Sequence, residues 1–366
     1  NIIYGLKKIE EKNLLDKVNL NSDCRFSYLL QLANEDQCEQ LAELIFGSVL
    51  TSISTSNISE LLFYEIPKNI KGSVFVYLIK EIETIAKIEE TCNVLLSGKI
   101  YEYFIGRDDS AISELGAFFT DRHIVNYILE KLDPEIDNDG SIPTMIDMFG
   151  GSGGFTTGYI NYLIAKYPKI NWDTEINNIY HYDMNVDVIK SAGLEFFCLT
   201  GELPNMKNNM KCGNSFTDEF GEKKYKYPLT NPPYGGDKNV KSEGQAKRNK
   251  IRNYIKNELL TNTDESLVTR RQKQLTDLME KDKKEKTEKN QTKVSISMCS
   301  ARIQKFAKDN DLKGNDKESC SLMLLMDIVD IGGTAIGVLK EGIFFNKKYK
   351  KLRKCLIENF NVKEVI

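Results

Sequence analysis

The segment Leu229 to Asp237, LTNPPYGGD, sets two consecutive prolines between an asparagine and a tyrosine, in a chain that has 8 prolines among 366 residues. Proline fixes φ and carries no N–H, and it pushes the residue before it toward an extended conformation. Asn231, Pro232, Pro233 and Tyr234 should therefore form a rigid loop whose carbonyl oxygens are not consumed by local hydrogen bonds. Rigid acceptors suit a planar amino group. The lone pair of an exocyclic NH2 is delocalised into its ring and is a poor nucleophile. If the Asn231 side-chain oxygen and the Pro232 carbonyl accept its two hydrogens, the nitrogen can pyramidalise and aim that lone pair at an electrophile. Tyr234 would stack on the flat ring and hold it. A structural diproline turn is the alternative for the same four residues.

Three further clusters could hold the carrier of that electrophile. MIDMFGGSGGFTTGYI reads as a strand, a glycine-rich turn through Gly151, Ser152, Gly153 and Gly154, and then a helix. Glycines permit positive φ and close approach of a ligand, and the free N–H groups of a helix start can face a nucleotide or carboxylate. This places a nucleotide-like cofactor at the carboxyl edge of the first strand. The turn is neither a dinucleotide GxGxxG nor a phosphate loop with its Gly-Lys-Ser/Thr, so an ordinary glycine-rich loop stays open. Asp183, in NIYHYDMN, ends the next strand, where a carboxylate can accept both hydroxyls of a ribose or simply cap a helix. Asn214 and Phe216, in KCGNSFTDEF, could hold an adenine by a hydrogen bond and an edge contact, or form a plain strand turn.

The elements that would position these residues follow from hydrophobic period. Residues 1 to about 110 carry helical spacing with few turn signals, as in CRFSYLLQLA and VFVYLIKEIETIAKIEETCNVLL, and predict a helical N-terminal domain. HIVNYILEKL is a further helix, closed by Asp133-Pro134. From Pro143 short apolar runs alternate with helical ones. TMIDMF, NIYHYD, MKCG, YKYPLTN, TAIGVL and VKEVI are strand candidates, with helices GYINYLIAKY and VDVIKSAGLEFF between them, which predicts a parallel α/β sheet over 111–366. A Lys-rich stretch over 237–315 interrupts this domain as a charged insertion, either a solvated segment or a nucleic-acid contact.

Composition narrows the function classes. A net charge of -3 argues against nucleic-acid binding by overall charge, though not against a local basic groove. The 8 cysteines form no CxxC pair and the 2 histidines no HExxH, so a metal site is not expected. No apolar run approaches the length of a membrane helix and the N-terminus is charged, which points to an intracellular protein with no membrane partner.

Together these residues make the chain resemble the N6-adenine DNA methyltransferases of the gamma class, in particular the modification subunits of type I restriction systems and fused type II relatives. The resemblance runs from about residue 100 to 366. IYEYFIGRDDSAISELGAFFTDRHIVNYILEKLDP is similar to the family stretch before the glycine motif that helps bind the methionine end of S-adenosylmethionine, with Phe119 and Thr120 at its Tyr-Thr positions. Asp147 to Phe155, DMFGGSGGF, is similar to DPxxGSGGF; Asp183 matches the ribose-binding acid, and Asn231 to Tyr234 is the catalytic NPPY unchanged.

The resemblance implies a Rossmann-like sheet, S-adenosylmethionine as cofactor and a flipped adenine in double-stranded DNA as substrate. It also implies a specificity subunit or a separate target-recognition domain, with a restriction subunit as a further partner. Met148, Asp121 and Lys340 stand where the family has proline, and Asn214 where many relatives have aspartate. The family's sheet has a seventh strand beyond the point where VKEVI ends, so the chain reads as a fragment or one half of a split protein. NPPY also serves enzymes that methylate an RNA base, a cytosine N4 or a glutamine amide, and a catalytically silent DNA-binding subunit would keep the same fold.

Overall fold

The computed structural model describes residues 1–92, 120–218, 220, 223–233, 251, 253–255, 271–277, 279 and 294–366. Five parallel strands form one sheet in the order β3-β2-β1-β4-β5: β1 (Met145–Asp147), β2 (Ile179–Asp183), β3 (Met210–Cys212), β4 (Tyr227–Thr230) and β5 (Ile336–Gly337). Register is set by Met145 and Ile146 opposite Ile179 and Tyr180 on one side, and opposite Tyr227 and Pro228 on the other. The chain therefore reverses direction across the sheet at β1, and the crevice between β1 and β4 is the switch point at which open α/β sheets bind ligands.

Strand side chains alternate between faces. Met145, Ile179, Met210 and Leu229 meet the helices α7 (Arg122–Leu132), α8 (Gly154–Lys166) and α9 (Val186–Thr200). Ile146, Tyr180 and Tyr182 enter the opposite core with α10 (Ala301–Asp309), α11 (Lys317–Ile328) and α12 (Lys350–Asn359). The helices start where the sequence supplies caps. Asn185 accepts from Asp187 and Val188 N–H, and Asp316 accepts from Ser319 N–H, satisfying donors that a helix start leaves open. Asp133, in the left-handed region at φ 44, ends α7 before Pro134.

Residues 1–92 form helices α1 (Ile2–Glu11), α2 (Phe26–Asn34), α3 (Cys38–Leu44), α4 (Leu50–Thr55), α5 (Ser59–Leu62) and α6 (Gly72–Cys92). Their shared core continues into Leu194, Phe197 and Cys198 of α9, so the helical layer leans on the sheet's own helix.

Two sequence expectations differ from the structure. VKEVI forms no strand: Val362, Val365 and Ile366 are exposed and the segment has no ladder partner among the described residues, without which an extended run is not a strand. The far end of the charged 237–315 stretch is not wholly solvated, because α10 buries Ile303 and Ala307 under the sheet while Gln304, Lys305 and Lys308 stay exposed; much of the rest of that stretch lies outside the described residues. Among the described residues no helix is long and apolar enough to cross a membrane, and no group of three or more His, Cys, Asp or Glu could hold a metal ion.

Candidate active site

β1 delivers Asp147 to the switch point. The carboxyl group is buried at 2% exposure, and its Oδ1 accepts from Thr230 Oγ1 at 2.7 Å and from Phe149 N–H at 3.1 Å. Burial pushes it up to about 7; the two hydrogen bonds oppose that rise, and the nearby Asp183 charge adds to it.

The glycine turn follows at once. Gly151 and Gly153 have φ of 52° and 87°, which fits the glycines the sequence places there. Gly150 is required for a different reason: a Cβ on it would lie 2.2 Å from His181 Cε1, inside the ring. His181 on β2 is fully buried, its Nδ1 lies 3.1 Å from Thr156 Oγ1, and burial lowers its pKa to about 4, so the imidazole is neutral. The turn thus rests on an aromatic floor. Its other anchor is Asp183, which accepts from Gly151 N–H through Oδ2 at 3.0 Å and from Asn185 N–H through Oδ1 at 2.9 Å. Met184 N–H also bonds this carboxylate, whose two oxygens together can accept about four hydrogen bonds. Burial raises the Asp183 pKa, against its backbone N–H bonds.

A small pocket opens above this turn. Thr120, Asp147, Gly151, Ser152, Gly154, Phe155 and Asn231 line it, so six of the sequence-predicted cofactor residues meet the first residue of the diproline loop there, whereas Gly153, Asp183, Asn214 and Phe216 are not part of its lining. A Cβ on Gly151 would meet nothing within 4 Å, so the turn has open space on that side. Gly153 lies in the turn with Thr157 Oγ1 donating to its carbonyl, and Pro232 is buried behind Asn231, with Pro233 half-buried. Phe119 and Tyr234 lie outside the described residues.

The region after β3 has more local work than the sequence suggests. Asn214 Oδ1 accepts from Phe216 N–H at 3.0 Å, closing a turn. Phe216 is buried, 5.1 Å from the Phe149 ring, and it is Phe149 that reaches the pocket wall. Three residues of the site carry no motif signal: Phe149, Thr230 and His181. Arg122 is a fourth, donating to Gly154 O and Thr157 Oγ1 at 3.1 Å and so tying α7 to the start of α8.

The departures from family prolines are accommodated. Met148 fills the core, Asp121 caps α7 by accepting from His123 N–H, and Lys340 lies 3.6 Å from Glu318. A larger cavity, about 500 Å³, lies across the sheet from His181 among Tyr180, Tyr182, Tyr225, Lys207, Lys211 and Lys223, but it includes neither the glycine turn nor Asn231.

The model of the N-6 DNA Methylase family matches residues 94–266. No curated protein sequence matches the chain. Among solved structures it is similar to the methyltransferase subunit of a type I restriction-modification system from Streptococcus thermophilus, at 14% identity and TM-score 0.52, over 94% of this chain and 62% of that one. It is also similar to a type I modification subunit from Vibrio vulnificus YJ016 (13% identity, TM-score 0.46, 95% and 74% coverage). A third is the type IIG restriction endonuclease BpuSI (13% identity, TM-score 0.48, 97% and 33% coverage). The Streptococcus thermophilus likeness establishes the α/β methyltransferase fold with its helical N-terminal region.

Proposed function

We propose that this chain, whose residues 94–266 match the model of the N-6 DNA Methylase family, is the catalytic part of a DNA methyltransferase that modifies the exocyclic N6 of adenine. The observation that carries this reading is the single pocket shared by Gly151 and Asn231. S-adenosylmethionine, when bound, supplies an electrophilic methyl group. The residues present fit that cofactor. Asp183 offers anchored oxygens to a ribose, the open side of Gly151 admits a ligand close to the backbone, and Phe149 gives the pocket an aromatic wall.

Asn231 then serves the second substrate. Its amide oxygen and the Pro232 carbonyl accept the hydrogens of the target amine and bend it out of conjugation, and Tyr234 stacks on the base. The base is flipped from double-stranded DNA, since its amino group is out of reach inside the duplex. Positioning and electrostatic complementarity supply the rate, with no covalent enzyme intermediate. The helical N-terminal domain, 1–110, and the catalytic domain, 111–366, act inside the cell together with a specificity subunit or target-recognition domain, because base readout needs contacts beyond the catalytic pocket. A restriction subunit completes such a system.

The test supplies labelled S-adenosylmethionine with duplex DNA, RNA or protein to the full-length protein and its partner subunit. Label should enter adenine N6 of duplex DNA. Asn231→Ala should lower transfer by roughly 100-fold or more while cofactor affinity changes little, as expected for an acceptor used in the transition state. Transfer at the wild-type rate by that variant, or label only in RNA or protein, would overturn the assignment.

A further inference from the structure

We propose that Thr230 is a positioning residue that couples the cofactor turn to Asn231, an inference that rests on the methyl-transfer reading above. Thr230 is fully buried at the end of β4, immediately before Asn231. Its hydroxyl donates to Asp147 Oδ1 at 2.7 Å, and its carbonyl accepts from Val338 N–H at 3.0 Å, so it is held from β1 on one side and from the β5 end on the other. The last paired residues of β1 and β4 are Ile146 and Pro228. The hydroxyl–carboxylate bond carries the connection between the two strands past that ladder, to the point where Asp147 and Asn231 line the same pocket.

The coupling has a direction. A hydrogen bond to an ionised carboxylate is shorter and stronger than one to a neutral acid. A cationic ligand group entering the pocket favours the Asp147 anion, tightens the Thr230 bond and fixes the backbone that presents Asn231. By linkage, fixing that backbone favours the cation in return. Among the described residues, the charge that acts on the Asp147 carboxyl is that of Asp183 on β2, with the neutral His181 opposite it in the ladder; the flanking strands otherwise carry the tyrosines Tyr180 and Tyr182 of β2 and Tyr227 of β4, and Phe149 N–H supplies the remaining hydrogen bond to Asp147 Oδ1. Thr230 is the β4 residue hydrogen-bonded to that carboxyl group, and so the contact through which β4 senses its charge.

Two variants of the full-length protein separate this role from packing. Thr230→Val keeps the shape and loses the donor, while Thr230→Ser keeps the donor and loses a methyl group. Carbon NMR of labelled aspartate in the ligand-free protein follows the Asp147 titration. Its midpoint should rise by about one unit in Thr230→Val and stay near wild type in Thr230→Ser, since only the former removes a hydrogen bond to the anion. Calorimetry should show S-adenosylmethionine binding weakened roughly tenfold in Thr230→Val. The rate of transfer at saturating cofactor should fall as well, because Asn231 is no longer held, and serine should restore both. An unmoved midpoint in the valine variant, or a serine variant as impaired as valine, overturns the coupling while wild-type activity stands. A wild-type protein that binds no S-adenosylmethionine overturns the functional reading and the coupling with it.

Discussion

Asp147 and His181 sit opposite each other in the β1–β2 register, and burial moves their proton affinities in opposite directions. Asp147 rises from 3.8 to about 7, so its contribution to stability is full below pH 3.8 and is lost as pH rises through 7. His181 falls from 6.5 to about 4, so its contribution is full above pH 6.5 and is lost as pH falls through 4. Between those limits the two slopes oppose each other, and the wild-type protein should have a nearly flat contribution from this pair. Asp147→Asn removes one slope, and urea unfolding should then show stability climbing by about 3 kcal/mol from acid to neutral pH. His181→Gln should give the reverse slope. Identical pH profiles for wild type and Asp147→Asn would show that these groups do not titrate as their burial implies. At the same place, Gly150→Ala drives a methyl group into the His181 ring and should cost about 1–3 kcal/mol. The smaller ring-free side chain of a Gly150→Ala, His181→Ala double variant should recover part of that loss, read as a higher thermal midpoint than the sum of the two single changes predicts.

The helix α7 shows how an element can keep its place after losing a motif residue. The proline expected after Thr120 would have set φ at the helix start, whereas Asp121 instead accepts from His123 N–H. Asp121→Ala should therefore lower stability by about 1 kcal/mol, and Asp121→Asn by much less, in thermal melts. Elements of this kind were legible because their signals are local. TMIDMF, NIYHYD, MKCG, YKYPLTN and TAIGVL each contain an observed strand, since a buried parallel strand is a short apolar run bounded by turns. VKEVI has the same run and no strand, because pairing is decided by a neighbour that period cannot reveal. α10 was hidden for the opposite reason: Arg302, Lys305 and Lys308 set its character in the sequence while Ile303, Phe306 and Ala307 do the packing. In the candidate site, glycines and a diproline announce themselves by backbone geometry. Thr230 and His181 do not, since a β-branched residue and a lone histidine in strands look like ordinary core until their register partners are known.

At the scale of the molecule, the helical layer of residues 1–92 and the sheet share side chains rather than merely touching. Leu61 of α5 lies against Gly193 of α9, where a Cβ would sit 2.6 Å from Leu61 Cδ2 and 3.1 Å from Met210 Sδ of β3. Lys190 Nζ donates to Phe63 O, and Lys17 reaches Gly201 O and Glu202. Glycine at 193 thus lets a leucine from the helical layer come within reach of the sheet. This predicts one cooperative unfolding unit, and the chain carries a convenient reporter: its single tryptophan, Trp172, packs against the sheet's core cluster and is not part of the helical layer's own cluster. Leu61→Ala should destabilise by about 2–4 kcal/mol through the cavity it leaves. If the layers unfold together, Trp172 fluorescence and helical circular dichroism should shift by the same amount in urea. A fluorescence midpoint that stays at its wild-type value while the helical signal moves would mean that the sheet stands alone. The closure of the glycine turn would then depend on β1, β2 and α8 without support from the helices that lean on α9.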